Sequence, residues 1–104
     1  MKNAEAILAV KFSSTISPEK LQKICLEDLD AFRNVPGLIQ KYYITEESTQ
    51  DLSGFYVFEN EQARESFWNS ELAQTIAPRY GVKADSLRVE RYEMLIVLND
   101  LISA

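Results

Sequence analysis

The stretch spanning residues 35–69, VPGLIQKYYITEESTQDLSGFYVFENEQARESFWN, leaves the chain few ways to fold. Val35-Pro36-Gly37-Leu38 has the chemistry of a type II turn, proline presetting the first central φ and glycine supplying the positive second one. A strand follows at residues 38–45, with Leu38, Gln40, Tyr42 and Ile44 on one face and Ile39, Lys41, Tyr43 and Thr45 on the other. Residues 46–53 are too polar for a core and read as a hairpin loop. Residues 54–59 form the return strand, setting Gly54, Tyr56 and Phe58 against Phe55 and Val57. Asn60 is placed to cap a helix through Ala63, Phe67 and Trp68, and Ser70 to cap a continuation through Leu72, Ala73, Ile76 and Ala77. Pro78 and Gly81 end or kink that helix.

One strand and one helix precede this block, and one strand follows it. Residues 5–13, EAILAVKFS, are apolar on both faces, Ala6, Leu8, Val10 and Phe12 on one and Ile7 and Ala9 on the other. Such a strand is covered on both sides. Ser17 reads as an N-cap and Pro18 as the first helical residue, and the stripe Leu21, Ile24, Cys25, Leu29 and Phe32 carries one helix to about Arg33. The last strand is expected over residues 86–98, becoming wholly apolar at Leu95-Ile96-Val97-Leu98. The order β-α-β-β-α-β predicts an α+β, ferredoxin-like domain over residues 1–104, a four-stranded antiparallel sheet with two helices on one face. Apolar residues on both faces of the first and last strands then demand a cover for the bare sheet face. A second copy of the chain, packed sheet to sheet as a homodimer, supplies it most economically, and the long last strand could reach across to that partner.

Composition narrows the chemistry. A hydrophobic content of 46% makes the chain globular, and sixteen acidic against eleven basic residues give a net charge of -5, which disfavours nucleic acid as a partner. The apolar run at residues 6–10 is too short for a signal sequence or membrane span, so a soluble, cytoplasmic protein is expected. There is no histidine, which removes the commonest metal and haem ligand and the usual general base near neutrality. Cys25, the one cysteine, falls in the helical stripe and reads as a small buried hydrophobe. The pairs Glu27-Asp28 and Glu46-Glu47 read as solvated surface without metal-site spacing, and Arg91, with Glu93 on its face or a carboxylate of the partner strand, reads as a structural ion pair at the dimer seam ahead of an anion-binding role. Three glycines make no phosphate-cradling loop, and no histidine-based triad can be assembled.

The pattern VPGL-x3-YY, then GFYVFEN, then a helix with FWNSELA resembles the dimeric α/β-barrel superfamily, and within it the small mono-oxygenases related to the antibiotic-biosynthesis monooxygenases. The resemblance covers about residues 5–98. It implies a homodimer, and a cofactor-independent monooxygenase that oxidises a small aromatic, quinol- or anthrone-like substrate in a pocket between sheet and helices, with no metal or other cofactor. Carried onto this chain, it implies catalytic roles for Trp68, Tyr56 and Asn69, and substrate contacts from Phe12, Tyr43, Phe58, Phe67 and Arg79. The haem-degrading branch relies on a helical histidine that this chain lacks. Two other uses of such a pocket are a non-catalytic dimer binding small hydrophobic ligands and an isomerase- or dehalogenase-like enzyme. The aromatic residues also admit a purely structural role in the core.

Overall fold

The computed structural model describes residues 4–99. In chain order these form β1 (Ala6–Phe12), α1 (Pro18–Glu27), α2 (Leu29–Arg33), β2 (Leu38–Thr45), β3 (Leu52–Phe58), α3 (Glu61–Trp68), α4 (Glu71–Gln74), α5 (Ile76–Arg79) and β4 (Arg88–Glu93). The strands lie in the order β2-β3-β1-β4, each neighbouring pair antiparallel. This is the ferredoxin-like α+β arrangement: β3 slots between β1 and β2, and β1 between β3 and β4. No helix among the described residues is long and apolar enough to cross a membrane.

Strand alternation builds the core. Ala6, Leu8, Val10 and Phe12 of β1 and Leu52, Tyr56 and Phe58 of β3 are buried, where they meet Leu21, Cys25, Phe32, Phe67 and Ile76 from the helices. The expected caps are in place: Ser17 accepts from the Lys20 N–H at 3.4 Å, Asn60 from Ala63 at 2.8 Å, and Ser70 from Ala73 at 3.3 Å. The turn at Pro36-Gly37 closes through Leu38 N–H to Val35 O at 3.2 Å. Gly37 sits at φ 77°, and a Cβ there would lie 2.4 Å from that of Ala63, so both backbone and packing require glycine.

Five features depart from the sequence expectation. The first helix breaks at Asp28 into α1 and α2, and Asp28 is drawn inward rather than solvated, because its carboxylate meets Arg79 and Tyr80. A bulge at Ile39 puts Leu38 opposite Phe58, so Leu38 faces the helices with Lys41 and Tyr43 instead of sharing the face of Tyr42. β3 begins at Leu52, and the hairpin loop is correspondingly tighter, with Gln50 at φ 64° and its N–H donating to Glu46 O. β4 stops at Glu93, opposite the first residue of β1, so residues 95–98 lie beyond the ladder, Leu95 91% and Leu98 90% exposed. Arg91 pairs in register with Leu8 and so faces the helices, where it bonds Glu65 of α3 at 3.1 Å within the protomer rather than across a dimer seam.

The face away from the helices carries Ile7, Ala9, Tyr42, Ile44, Phe55, Val57 and Tyr92. Its two-faced apolar character comes from β1 and β3. β4 contributes little, since its apolar run falls past the strand.

Candidate functional site

On the helix-covered side of the sheet, a cavity of about 620 Å³ opens between α1 and the β2–β3 hairpin. Leu21, Leu26 and Leu29 roof it, Tyr43 and Leu52 floor it, and Ser13, Thr49, Gln50, Asp51 and Lys83 give it a polar rim. Its size falls within the range of about 300–1,000 Å³ usual for small-molecule sites. The rim is preset: Ser13 Oγ donates to Asp51 Oδ1 at 2.7 Å.

Behind Tyr43 lies a small void of about 10 Å³, lined by Val10, Phe12, Lys41, Tyr43, Gly54, Tyr56, Ile76 and Tyr80 among others. Lys41 also lines an outer cavity of about 220 Å³ with Leu29, Phe32 and Arg33, and Tyr43 borders all three spaces. Lys41 arrives here by strand alternation, two residues before Tyr43 and directly across from Tyr56. Its ammonium sits 3.3 Å from the centroid of the Phe32 ring, 4.1 Å from that of Tyr43 and 4.6 Å from that of Tyr56. Three aromatic faces, and no carboxylate in hydrogen-bonding contact among the described residues, receive the charge.

Burial pulls the Lys41 amine down to about 7, against the smaller upward pull of Cys25 and Asp28. Burial likewise pushes the Tyr43 phenol up to about 12, with Cys25 adding to the rise and Tyr80 easing it. The Tyr43 hydroxyl is buried and no partner meets it in hydrogen-bond geometry, although the Tyr80 side chain is near enough to ease its ionisation. Tyr56 is raised by burial, then by Tyr43 and Cys25. Tyr80 is raised by burial and by the hydrogen bond it donates to Asp28 at 2.9 Å. Burial alone would raise Asp28, but the bonds from Arg79, at 2.7 Å, and Tyr80 outweigh it and hold the carboxyl below its usual range. Burial pushes the Cys25 thiol up, as suits a structural cysteine. Gly54 makes room for the cluster: a Cβ there would lie 2.9 Å from a Tyr56 ring carbon and 3.3 Å from Lys41 Cε.

Of the residues singled out from sequence, the structure gathers Phe12, Tyr43 and Tyr56 around the inner void. Arg79 stands one ion pair away, holding Asp28 and Glu27 from the outside. Phe58 and Phe67 are packed core, their rings 5.7 Å apart and both against Tyr56. Trp68 is half-buried at the edge of the core and lines none of the three spaces beside Tyr43. Asn69 is exposed at the C-terminus of α3, its N–H donating to Glu65 O. Lys41, Asp28 and Tyr80 are site residues that the sequence reading misses. A signal for Lys41 exists, a charged residue sharing the inward face of β2 with Tyr43. No group of His, Cys, Asp or Glu among the described residues could hold a metal ion.

Comparisons with known proteins agree with this architecture. The family model described as "Putative mono-oxygenase ydhR" matches residues 7–101. No curated protein matches the chain in sequence. Among solved structures, a protein of unknown function from Nitrosomonas europaea is 16% identical with a TM-score of 0.75, covering 100% of both chains. A monooxygenase, ActVA-Orf6 of Streptomyces coelicolor, solved in complex with nanaomycin D, is 14% identical with a TM-score of 0.68 over 93% of each chain. SnoaB, a cofactor-independent oxygenase from Streptomyces nogalater, is 11% identical with a TM-score of 0.65, covering 92% of this chain and 96% of that one. At such identities the structural likeness speaks for the fold.

Proposed function

From the premise that this chain belongs to the ydhR mono-oxygenase family, we propose that it is a cofactor-independent monooxygenase acting on a small aromatic, quinol- or anthrone-like substrate. The observation that carries the proposal is the cavity of about 620 Å³ under α1, apolar in its roof and ending at Tyr43 against the buried aromatic cluster. A flat aromatic ligand fits such a space, its rings against the leucines of the helices and its polar edge toward the rim.

The chemistry asks little of the protein. An anthrone methylene reacts with one dioxygen to give the quinone carbonyl and one water, so one oxygen atom enters the substrate and the substrate supplies all the electrons. Deprotonation makes such a substrate electron-rich enough to reduce oxygen itself. The protein excludes water, orients the ring and stabilises the developing anion. SnoaB, described as a cofactor-independent oxygenase, has the same fold, which supports the reading.

Oxygen consumption with a panel of anthrones and hydroquinones, measured against protein-free autoxidation, tests the proposal. Uptake above that background, saturating with substrate, is expected. Saturable binding without uptake would move the function to a non-catalytic ligand-binding module, and a flat response in both would remove the aromatic substrate class.

The open sheet face bears on the working unit. Its apolar residues, with the exposed run at residues 95–98, support a homodimer joined through that face. The cavity lies on the opposite, helix-covered side, so each protomer carries its own site in that arrangement.

A further inference from the structure

We propose that Lys41 and Tyr43 form an anion seat: Lys41 accepts the proton of an ionisable substrate hydroxyl, and its ammonium together with the Tyr43 O–H then holds the resulting phenolate or enolate oxygen. This deepens the oxygenase reading and rests on it for the identity of the substrate, but the seat itself is a binding property.

Three observations converge on this pair. The Tyr43 hydroxyl is buried with no partner in hydrogen-bond geometry, and an orphaned buried hydroxyl is costly unless an incoming group satisfies it. The Lys41 amine rests on ring faces and makes no hydrogen bond among the described residues, so its donors are open to an incoming oxygen. Both side chains face the void of about 10 Å³, about the room one oxygen atom or water needs. Tyr43 also floors the larger cavity, which places the seat where a ligand's polar edge would end.

The proton balance is simple. A neutral lysine amine and a neutral hydroxyl become an ammonium and an oxyanion, with no net charge entering the apolar interior. The titratable groups facing Lys41 are Cys25 from α1, Asp28 at the break before α2, Tyr43 beside it on β2 and Tyr56 from β3. Tyr80 and Arg79 act through Asp28, and Arg33 of α2 borders the outer cavity but pairs with Asp30. Asp28 is spoken for by Arg79 and Tyr80, which leaves Lys41 as the base in a chain without histidine. The amine is held close to neutrality by its burial, the condition for a proton acceptor at physiological pH.

The test uses para-nitrophenol, whose absorption separates its neutral and ionised forms, on the intact protein. Bound to the wild type, its ionisation midpoint should fall by about 1–3 on the pH scale relative to free solution, as expected beside an opposite charge. Lys41→Met keeps the stem and removes the amine. It should restore the free-solution midpoint and weaken binding by about tenfold or more at pH 7, because lowering the midpoint by about 1 corresponds to a tenfold preference for the ionised form. Tyr43→Phe should leave the midpoint lowered, but by less than in the wild type. As a measurement needing no variant, Lys41 labelled by 13C reductive methylation should titrate near neutrality in the free protein, and only well above it once para-nitrophenol is bound. A nitrophenol that binds wild type and Lys41→Met alike, ionising as in free solution, overturns the seat. So does a Lys41 resonance that ignores the ligand. Anthrone-dependent oxygen uptake unaffected by Lys41→Met would remove the seat and leave the oxygenase reading standing. A phenolate signature without uptake on any substrate would do the reverse.

Discussion

A lysine among three aromatic rings is costly, and the cost has a pH signature. Folding lowers the Lys41 amine from 10.5 to about 7, so between those values the unfolded chain binds the proton that the folded one releases. Stability contributed by this residue therefore rises with pH from about 7 toward 10.5. Tyr43 acts in the opposite sense: raised from 10.0 to about 12, its contribution is full below 10 and is lost as pH climbs toward 12. Urea midpoints measured from pH 6 to 11 should peak between the two. Lys41→Met should flatten the lower limb and raise stability at pH 7 by on the order of a few kcal/mol, because it leaves no charge to bury. A variant less stable than wild type at pH 7 would mean that the rings repay the burial in full. Tyr43 was legible in sequence as an inward aromatic, and Lys41 follows from it by the two-residue repeat of a strand. What hid the lysine was its chemistry, since an inward charge contradicts composition-level expectation and only the packed rings of Phe32 and Tyr56 show how it is tolerated.

At the scale of elements, local signals with their own backbone chemistry were readable. Ser17, Asn60 and Ser70 cap as expected, and Pro36-Gly37 turns as expected, because each acts on groups within a few residues. The features that escaped depend on distant partners. Nothing near Asp28 in sequence breaks the helix there; its partners Arg79 and Tyr80 arrive from α5 and the residue following it. Likewise the cavity opens under α1 and not beside Trp68, a placement that depends on packing between residues far apart in sequence. Asp28→Ala should accordingly behave as a lost tertiary clasp. It removes an acceptor from Arg79 and strands the mostly buried Tyr80 hydroxyl, at a cost of about 1–3 kcal/mol in urea unfolding at pH 7. Since the folded Asp28 carboxyl lies below 3.8, its contribution is present above that value and fades as pH falls through the lowered one. The difference between wild type and Asp28→Ala should therefore shrink at the acid end. A constant difference across that window would show that the carboxylate charge does not hold α1, α2 and α5 together.

For the whole molecule, the proposed homodimer makes the sharpest demand on the last described residues. Four strands about 4.8 Å apart, each about seven residues at roughly 3.3 Å, give the open face a projected area of roughly 400 Å². A stable interface buries about 800 Å² per partner, so the sheet face is small for the task even though side-chain relief adds to its area. The apolar run Leu95-Ile96-Val97-Leu98, left exposed beyond β4, supplies what is missing if it lies along the partner. Fully burying one leucine contributes about 1.5–3 kcal/mol, and a symmetric dimer buries each position twice. Replacing Leu95 and Leu98 together by serine removes four leucines from the dimer and should therefore weaken association by about 6 kcal/mol where all four are fully buried, on the order of ten-thousandfold in Kd. Sedimentation equilibrium across micromolar concentrations reads this directly: two chain masses for the wild type, and a shift toward one for the double variant. A wild type of one chain mass would leave the apolar sheet face for some other cover. Equal association in both proteins would confine the contact to the sheet, and the exposed run would then have no part in holding the protomers together.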